Sequence, residues 1–491
     1  MFLQSGAISA VVGSSAPLWG VAPTQAPRSA SSGKAFETGA TEAARWIRSV
    51  QVDSAAGRVW LPEPAHPEKL TTVSPANAIY SGSAGVVLFF LELARAAGDA
   101  SYLEDARKGA DYLVTTWHQL PSEKERIPGA NLSFYNGLAG VAFVLAETWK
   151  ATGDLRYKDA AVAATQYLVG AAKKTSAGVA WSAAPGIVAD GSVILYLLYA
   201  AQMFGDDAYR TVAANAGLHL LELGTPHSKG GVSWKGVPPT ILGLPDETYF
   251  PNFELGTAGV AFVLARLHEE TGEPRYLEAA KQGALHLQSI ATVRGTGALV
   301  PYRYPDLQEV HYLGFCHGPA GTARLFYQLY KTTKEQRYLD WTERLAAGVV
   351  NSQIPENQTP GFWNVVCQCC GSAGVSDFFF GLWAATGKTE YYAFANKLTA
   401  QTLSHQTNFD GNGSRWFQAW TRVRPSEVSA ETGYSIGAAG IGTALLRASL
   451  AQKGQYQAIA FPDNPFPSRQ RELVAAVDEI DELHNMDRFG P

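Results

Sequence analysis

One motif recurs along this chain and constrains everything else about it. YSGSAGVVLFFLELARAAGDASYLEDA begins at Tyr80, YNGLAGVAFVLAETWKATGDLRYKDAA at Tyr135, ELGTAGVAFVLARLHEETGEPRYLEAA at Glu254, CHGPAGTARLFYQLYKTTKEQRYLDWT at Cys316 and CCGSAGVSDFFFGLWAATGKTEYYAFA at Cys369. A divergent copy, IVADGSVILYLLYAAQMFGDDAYRTVA, starts at Ile187, and a truncated one, SIGAAGIGTALLRASL, at Ser435. Seven copies at irregular intervals of roughly 50–70 residues describe one supersecondary unit used repeatedly, because a single unit cannot bury its own apolar face.

Each copy reads as a helical hairpin. The G-x-A-G opening lets backbone approach closely where a helix begins, and the run after it (Val141, Phe143, Val144 and Leu145 in the second copy) is apolar on most sides, as in a buried helix. Gly98-Asp99, Gly153-Asp154, Gly205-Asp206 or Gly272-Glu273 then ends that helix. A tyrosine (Tyr102, Tyr157, Tyr209, Tyr276, Tyr338) starts a second helix with Ala and Leu at three-to-four spacing. Buried and half-exposed helices in alternation predict an all-α fold, a closed (α/α) toroid or barrel of about seven hairpins in two concentric layers. An open solenoid is disfavoured because the inner helices are too apolar to line a wet concave face.

In such a ring the G-x-A-G helix starts converge on one mouth, so the residues before those glycines share a central cavity. Most are bland: Ser81, Asn136, Leu255, Ile436. The fifth copy instead carries Cys316-His317-Gly318 and the sixth Cys367-Gln368-Cys369-Cys370-Gly371, which together hold all four cysteines of the chain. The ring brings these two segments together, and thiolates near helix N-termini make a zinc site. Buried inert thiols or a disulfide are the other readings of the same residues.

Composition narrows the partners. A formal net charge of -5 and a pI near 6.1 give no electrostatic footprint for nucleic acid or an anionic membrane, and no run of apolar residues is long enough for an integral membrane helix. Residues 1–40 read as a tail or a remnant export signal: the first 27 carry no charge, and Phe2-Leu3-Gln4 looks like the end of a twin-arginine motif. A truncated signal there predicts a periplasmic or exported protein, and a plain tail predicts a cytoplasmic one. Residues 41–455 form the ring, and 456–491 a C-terminal tail whose Arg469–Arg488 stretch reads as a surface amphipathic helix.

The G-x-A-G ring, with C-x-G in the fifth copy and a ligand pair before the glycine of the sixth, resembles the lanthionine synthetase cyclases, the LanC-like proteins, over roughly residues 40–450. The resemblance implies an (α/α) barrel with one catalytic Zn2+ per chain. Cys316 matches its first ligand and Cys369 its second, and Cys370 takes the place of the usual histidine. Three protein ligands leave a fourth position open, as a catalytic zinc requires. The implied reaction is addition of a cysteine thiol to a dehydroamino acid, giving a thioether of the lanthionine type in a modified peptide, or addition of a small thiol such as glutathione. The peptide would arrive already dehydrated by another protein.

Two residues depart from that pattern. The family histidine just before the glycine of the fourth copy is Leu255 here, and the aspartate of the third copy falls near Ala184 without a counterpart. Substitute acid or base groups are His317, directly after a ligand, His311, five residues ahead of it, and Glu254, two residues before the fourth glycine. Asp190 reads equally as a helix N-terminal residue, and Cys367 as a packed thiol or an alternate ligand. The inserts Gly224–Phe250, with Trp234 and Pro238-Pro239, and Val293–Tyr312 are expected to shape the mouth. Two other functions fit a helical ring. A carbohydrate-active enzyme predicts acidic pairs at the mouth and no metal dependence, and a catalytically inactive zinc-binding protein predicts a closed four-ligand site completed by Cys367 or His317.

Overall fold

The computed structural model describes residues 29–69, 76–119, 127–228, 230–419, 421–456 and 459–469. Fourteen α-helices lie among them: α1 (Ser29–Ser49), α2 (Ser83–Ala97), α3 (Ala100–Thr116), α4 (Leu138–Thr152), α5 (Leu155–Ala171), α6 (Asp190–Phe204) and α7 (Asp207–Glu222), then α8 (Thr257–Thr271), α9 (Pro274–Ile290), α10 (Pro319–Thr333), α11 (Gln336–Asn351), α12 (Ser372–Thr386), α13 (Thr389–Ser404) and α14 (Ala438–Gln452). The even-numbered helices form the inner ring, each touching the next and α14 touching α2, and the odd-numbered helices pack outside them. The inner helices are buried on nearly every side, α4 continuously from Leu138 to Thr148. Side chains such as Phe143 gain about 1.5–3 kcal/mol each from that burial. The expected two-layered all-α toroid is the fold observed.

Local chemistry sets each joint. Gly98, Gly153, Gly205, Gly272 and Gly387 close inner helices at φ between 64° and 73°, the left-handed region where a side chain is strained. Asp99, Asp154, Asp206 and Glu273 then cap the outer helices by accepting a hydrogen bond from the N–H two residues on. The repeated tyrosines tie neighbouring outer helices together: the Tyr157 hydroxyl donates to Asp111 at 2.9 Å, and the Tyr276 hydroxyl to the Ala214 carbonyl at 2.7 Å. The second glycine of G-x-A-G is obligatory for another reason. A Cβ on Gly140 would lie 1.9 Å from the Phe134 carbonyl oxygen, and one on Gly321 2.0 Å from that of Phe315, because the chain doubles back over each helix start.

A second repeated device lies in the connections at the mouth. Trp60, Trp181, Trp234 and Trp416 are buried, and each indole N–H donates to a carbonyl of the preceding outer helix, at Ile47, Leu168, Leu220 and Thr402 respectively. Trp234 therefore locks the insert that carries it to α7 and does not line the mouth. Small antiparallel hairpins such as Val52–Ser54 with Gly57–Val59 and Thr292–Arg294 with Gly297–Leu299 fill the same connections.

The ring closes in a way the linear repeat does not reveal. Its seventh hairpin is built from both ends of the chain: the outer partner of α14 is α1, whose Phe36, Ala40, Ala43 and Ala44 are buried. The boundary drawn at residue 40 thus falls inside a structural helix, and the ring begins by Ser29. At the mouth a belt of backbone hydrogen bonds joins successive copies. Tyr80 N–H donates to the Tyr135 carbonyl, Ser435 to Tyr80, Cys369 to Ser435, Phe315 to Cys369, Glu254 to Cys316 and Val188 to Glu254, at 2.8–3.1 Å. Phe134 N–H completes the circuit by donating to Ser192 Oγ at 2.9 Å.

After α14 the chain returns into the ring, and residues 459–469 pack among the inner helices, with Asp463 buried. The segment drawn as a tail from residue 456 is therefore partly core. The surface helix expected for Arg469–Arg488 and the export segment at residues 1–27 lie outside the described residues.

Candidate metal centre

The belt holds one class of position in register: the residue two before the first glycine of each motif. Tyr80, Tyr135, Glu254, Cys316, Cys369 and Ser435 occupy it in six copies. Cys370 follows Cys369 directly, so copies five and six bring three sulfurs to one place. Cys316 Sγ lies 3.3 Å from Cys370 Sγ, and Cys370 Sγ lies 3.6 Å from Cys369 Sγ. All three are free thiols, at most 6% exposed, and well beyond disulfide bonding distance. Hydrogen bonds among the sulfurs pull individual thiols in opposite directions, and with burial and mutual repulsion added all three stand well above the usual thiol range. Three protonated thiols crowded together in a dry pocket are a poor arrangement by themselves. Three thiolates around a dication are a good one.

The donor set fits zinc. A Zn–S bond of about 2.3 Å spaces the corners of a tetrahedron about 3.8 Å apart, close to the sulfur separations seen. The donor atoms of Cys316, Cys369 and Cys370 all lie within 4.8 Å of one another. Cys367 stands outside this group: its sulfur faces the backbone N–H groups of Cys369, Cys370 and Gly371, so it caps the start of α12.

A carboxyl and an imidazole adjoin the thiols. Glu254, Cys316 and His317 also bring donor atoms within 4.8 Å of one another. Burial pushes the Glu254 carboxyl up to about 7, and no cationic partner among the described residues offsets it. His317 is buried against Phe250, Tyr302 and Tyr312, with ring centroids 5.0–5.6 Å away, and burial lowers it to about 3. Its Nδ1 has no hydrogen-bond partner among the described residues. The position of the family histidine holds Leu255, 6% exposed in the core.

Two expected participants are placed elsewhere. His311 is half-buried in the loop, its Nδ1 donating to the Glu309 carbonyl at 3.1 Å and its Nε2 facing Thr292 Oγ1 at 3.2 Å, so its contacts are with the outer hairpin. Asp190 accepts from Trp181 N, Ser182 N and Ser182 Oγ at 2.6–3.1 Å, which fastens the start of α6 to the strand before it.

Sequence reading missed Tyr80. It is buried beside Cys369, and burial, then the nearby Cys369 and Glu254, raise its phenol well above the usual range. Aligning the residue two before each glycine would have found it, because that column reads Tyr, Tyr, Glu, Cys, Cys, Ser. Tyr80 also lines a narrow cavity of about 20 Å³ with Trp363, Val365, Cys370, Gln418, Glu431 and Ile436, so the sulfur cluster borders a small pocket with mainly apolar walls.

Comparison with known proteins agrees with this architecture. No curated protein matches the sequence. Among solved structures the fold is similar to nisin cyclase, at a TM-score of 0.53 and 14% identity over 77% of this chain and 89% of that one. It is also similar to the α-1,6-mannanase from Salegentibacter sp. HEL1_6, at 0.43 and 14% over 85% and 99%, and to the unsaturated glucuronyl hydrolase from Bacillus sp. GL1, at 0.46 and 13% over 86% and 96%. The sequence itself matches the family described as lanthionine synthetase C-like protein over residues 76–460, which spans six of the seven ring hairpins, the inner helix of the seventh and all four cysteines. The chain belongs to the lanthionine synthetase C-like family.

Proposed function

We propose that this protein activates thiols at a three-cysteine zinc site for thioether formation, adding a cysteine thiol to a dehydroamino acid in a modified peptide or, by the same chemistry, adding a small thiol. The convergence of Cys316, Cys369 and Cys370 sulfurs at 3.3 and 3.6 Å at the mouth of the ring carries this reading. Cys316, Cys369 and Cys370 would hold the metal. Bound there, zinc would lower the pKa of an incoming thiol enough for thiolate to exist at neutral pH.

The rest of the chemistry falls to the chain. Addition of a thiolate to a dehydroalanine builds negative charge on the acceptor carbonyl and ends with a proton delivered to its α-carbon. Glu254, poised near neutrality by burial and adjacent to Cys316, is suited to carry that proton. It thereby takes over work that Leu255 cannot do. His317, uncharged in its aromatic surroundings, can accept or donate a hydrogen bond to Glu254 without competing as a cation. The narrow, mainly apolar pocket beside Cys370 limits water at the reacting sulfur and strengthens each of these interactions.

Zinc content of the purified, reduced protein tests the reading directly. About one zinc per chain, lost in Cys316→Ala and Cys370→Ala, is expected, with thiol addition to a dehydrated peptide depending on it. A metal-free wild type would remove the basis of the proposal.

A further inference from the structure

The segment that returns into the ring after α14 touches the two helices that carry the ligands. α10 and α12, whose N-termini bear Cys316 and the Cys369-Cys370 pair, touch each other less than any other neighbouring pair of inner helices. The space between them is filled by the returning chain. Phe466 stacks on Tyr327 of α10, with centroids 4.6 Å apart, and packs on Phe378 of α12 at 5.8 Å. Its ring lies so close over Gly381 of α12 that a Cβ there would meet it at 2.9 Å. Arg469 sits over Trp383 of α12 at 4.4 Å, and the Tyr456 hydroxyl donates to the Asp377 carbonyl on α12 at 3.1 Å.

Higher in the ring the same segment reaches the floor of the sulfur cluster. Asp463, 3% exposed, accepts from the Tyr135 hydroxyl at 2.7 Å and from Arg324 Nη1 of α10 at 2.9 Å. Arg324 in turn lies over Phe315 at 4.6 Å and Phe253 at 5.7 Å, the residues directly before Cys316 and Glu254. Tyr135 packs against Phe315 from the other side at 5.5 Å. A buried carboxylate shared by a guanidinium and a phenol is costly to place and costly to break, so the arrangement fixes Arg324, and through it Phe315, in one position.

We propose that residues 459–469, together with Tyr456, act as an internal wedge that sets the separation of α10 and α12, and that Asp463 and Phe466 are positioning residues of the thiol cluster. This rests on the zinc reading for its purpose but not for its geometry. The wedge spaces Cys316 from Cys369 and Cys370 through the helices beneath them, and Asp463, through Arg324 and Tyr135, braces the turn that carries Phe315 and Cys316. Groups that orient metal ligands without touching the metal typically change affinity by about 10–100-fold when lost.

The test uses the full chain carrying Asp463→Ala or Phe466→Ala, with Asp463→Asn and Phe466→Leu as milder versions should either fail to fold. Metal affinity is measured by competition with a chromogenic chelator and ligand geometry by the absorption of the cobalt-substituted protein. Alkylation rates of the four cysteines are measured separately in the metal-free protein by mass spectrometry. The expected result is about tenfold or weaker metal binding, a shifted cobalt spectrum, and alkylation of Cys316 accelerated relative to Cys367. General loosening would instead speed all four thiols together. Unchanged Cys316-to-Cys367 alkylation ratios in folded variants would overturn the wedge. Because that readout needs no metal, a wild type that binds no zinc would sink the proposed function while leaving the wedge decided on alkylation alone.

Discussion

Glu254 and Cys316 occupy the same position of adjacent repeats, are joined by a backbone hydrogen bond of 2.9 Å, and are buried to similar degrees, yet burial asks opposite things of them. At Cys316 it crowds a thiol against two others, an arrangement that would be relieved if a cation displaced the three protons to solvent and bound the thiolates. At Glu254 it strips water from a carboxyl with no cation nearby, an arrangement relieved when the group keeps its proton. One scaffold position thus carries a thiol suited to a metal in one copy and a carboxyl that burial holds near neutrality in the next. The difference lies in what each neighbour supplies. The sixth copy brings two sulfurs to Cys316, whereas Glu254 has an uncharged imidazole and apolar walls.

The comparison breaks most severely on the thiol side. Cys369→Ala is expected to abolish metal binding and to slow thiol addition by at least about a hundredfold, since a Lewis acid contributes several kcal/mol to such a step. Elemental analysis and a thiol-addition assay on one preparation check both. Retention of metal would mean that the sulfurs are not acting as a set.

Glu254→Gln sharpens the contrast, because it should leave the metal in place. A loss of about a hundredfold in thiol addition, with metal content unchanged, is expected for removal of a general acid–base. The same variant has a pH signature in the metal-free protein. The folded-state pKa of about 7 lies above the ordinary 4.5, so the folded state retains a proton that the unfolded chain sheds between those values. That contribution is complete below about pH 4.5 and is lost as pH rises through 7, amounting to about 3 kcal/mol. Calorimetric melting should show wild type losing stability between pH 5 and pH 8 relative to Glu254→Gln. Parallel curves would show that Glu254 is already ionised and would remove it as the proton carrier.

Tyr80→Phe probes the same belt position in the first repeat and carries the smallest effect. Loss of the hydroxyl beside the Cys369 sulfur, an effect of about 1 kcal/mol, should weaken metal binding by roughly fivefold with the fold intact. Chelator competition resolves a change of that size. A drop as large as that of a cysteine variant would promote Tyr80 from a neighbour of the site to a part of it.

Much of the fold was legible because its rules are local. G-x-A-G announces a helix start wherever it occurs, since the second glycine lies under a carbonyl six residues back, and Gly98-Asp99 or Gly153-Asp154 announces the turn to the next helix. The clustering of three thiols was legible for the same reason, as cysteines at or beside a repeated position. His311 lies in the loop ahead of Cys316, but its ring turns outward to Thr292, a direction that spacing along the chain does not encode. The returning segment at residues 459–469 was read as tail because Phe461, Asp463 and Phe466 follow no period, and a wedge needs none.

The sequence by itself determined the repeat, the two-layered helical ring and the three thiols, because each depends on side chains close together in the chain and on a spacing that recurs. Tertiary structure alone decided how the ring closes through α1 on α14, that Tyr80 and Glu254 flank the sulfurs, and that Asp463 reaches Tyr135, 328 residues away along the chain. Those contacts join residues whose separation along the chain encodes no period. They are set by which surfaces remain unburied once the helices have packed.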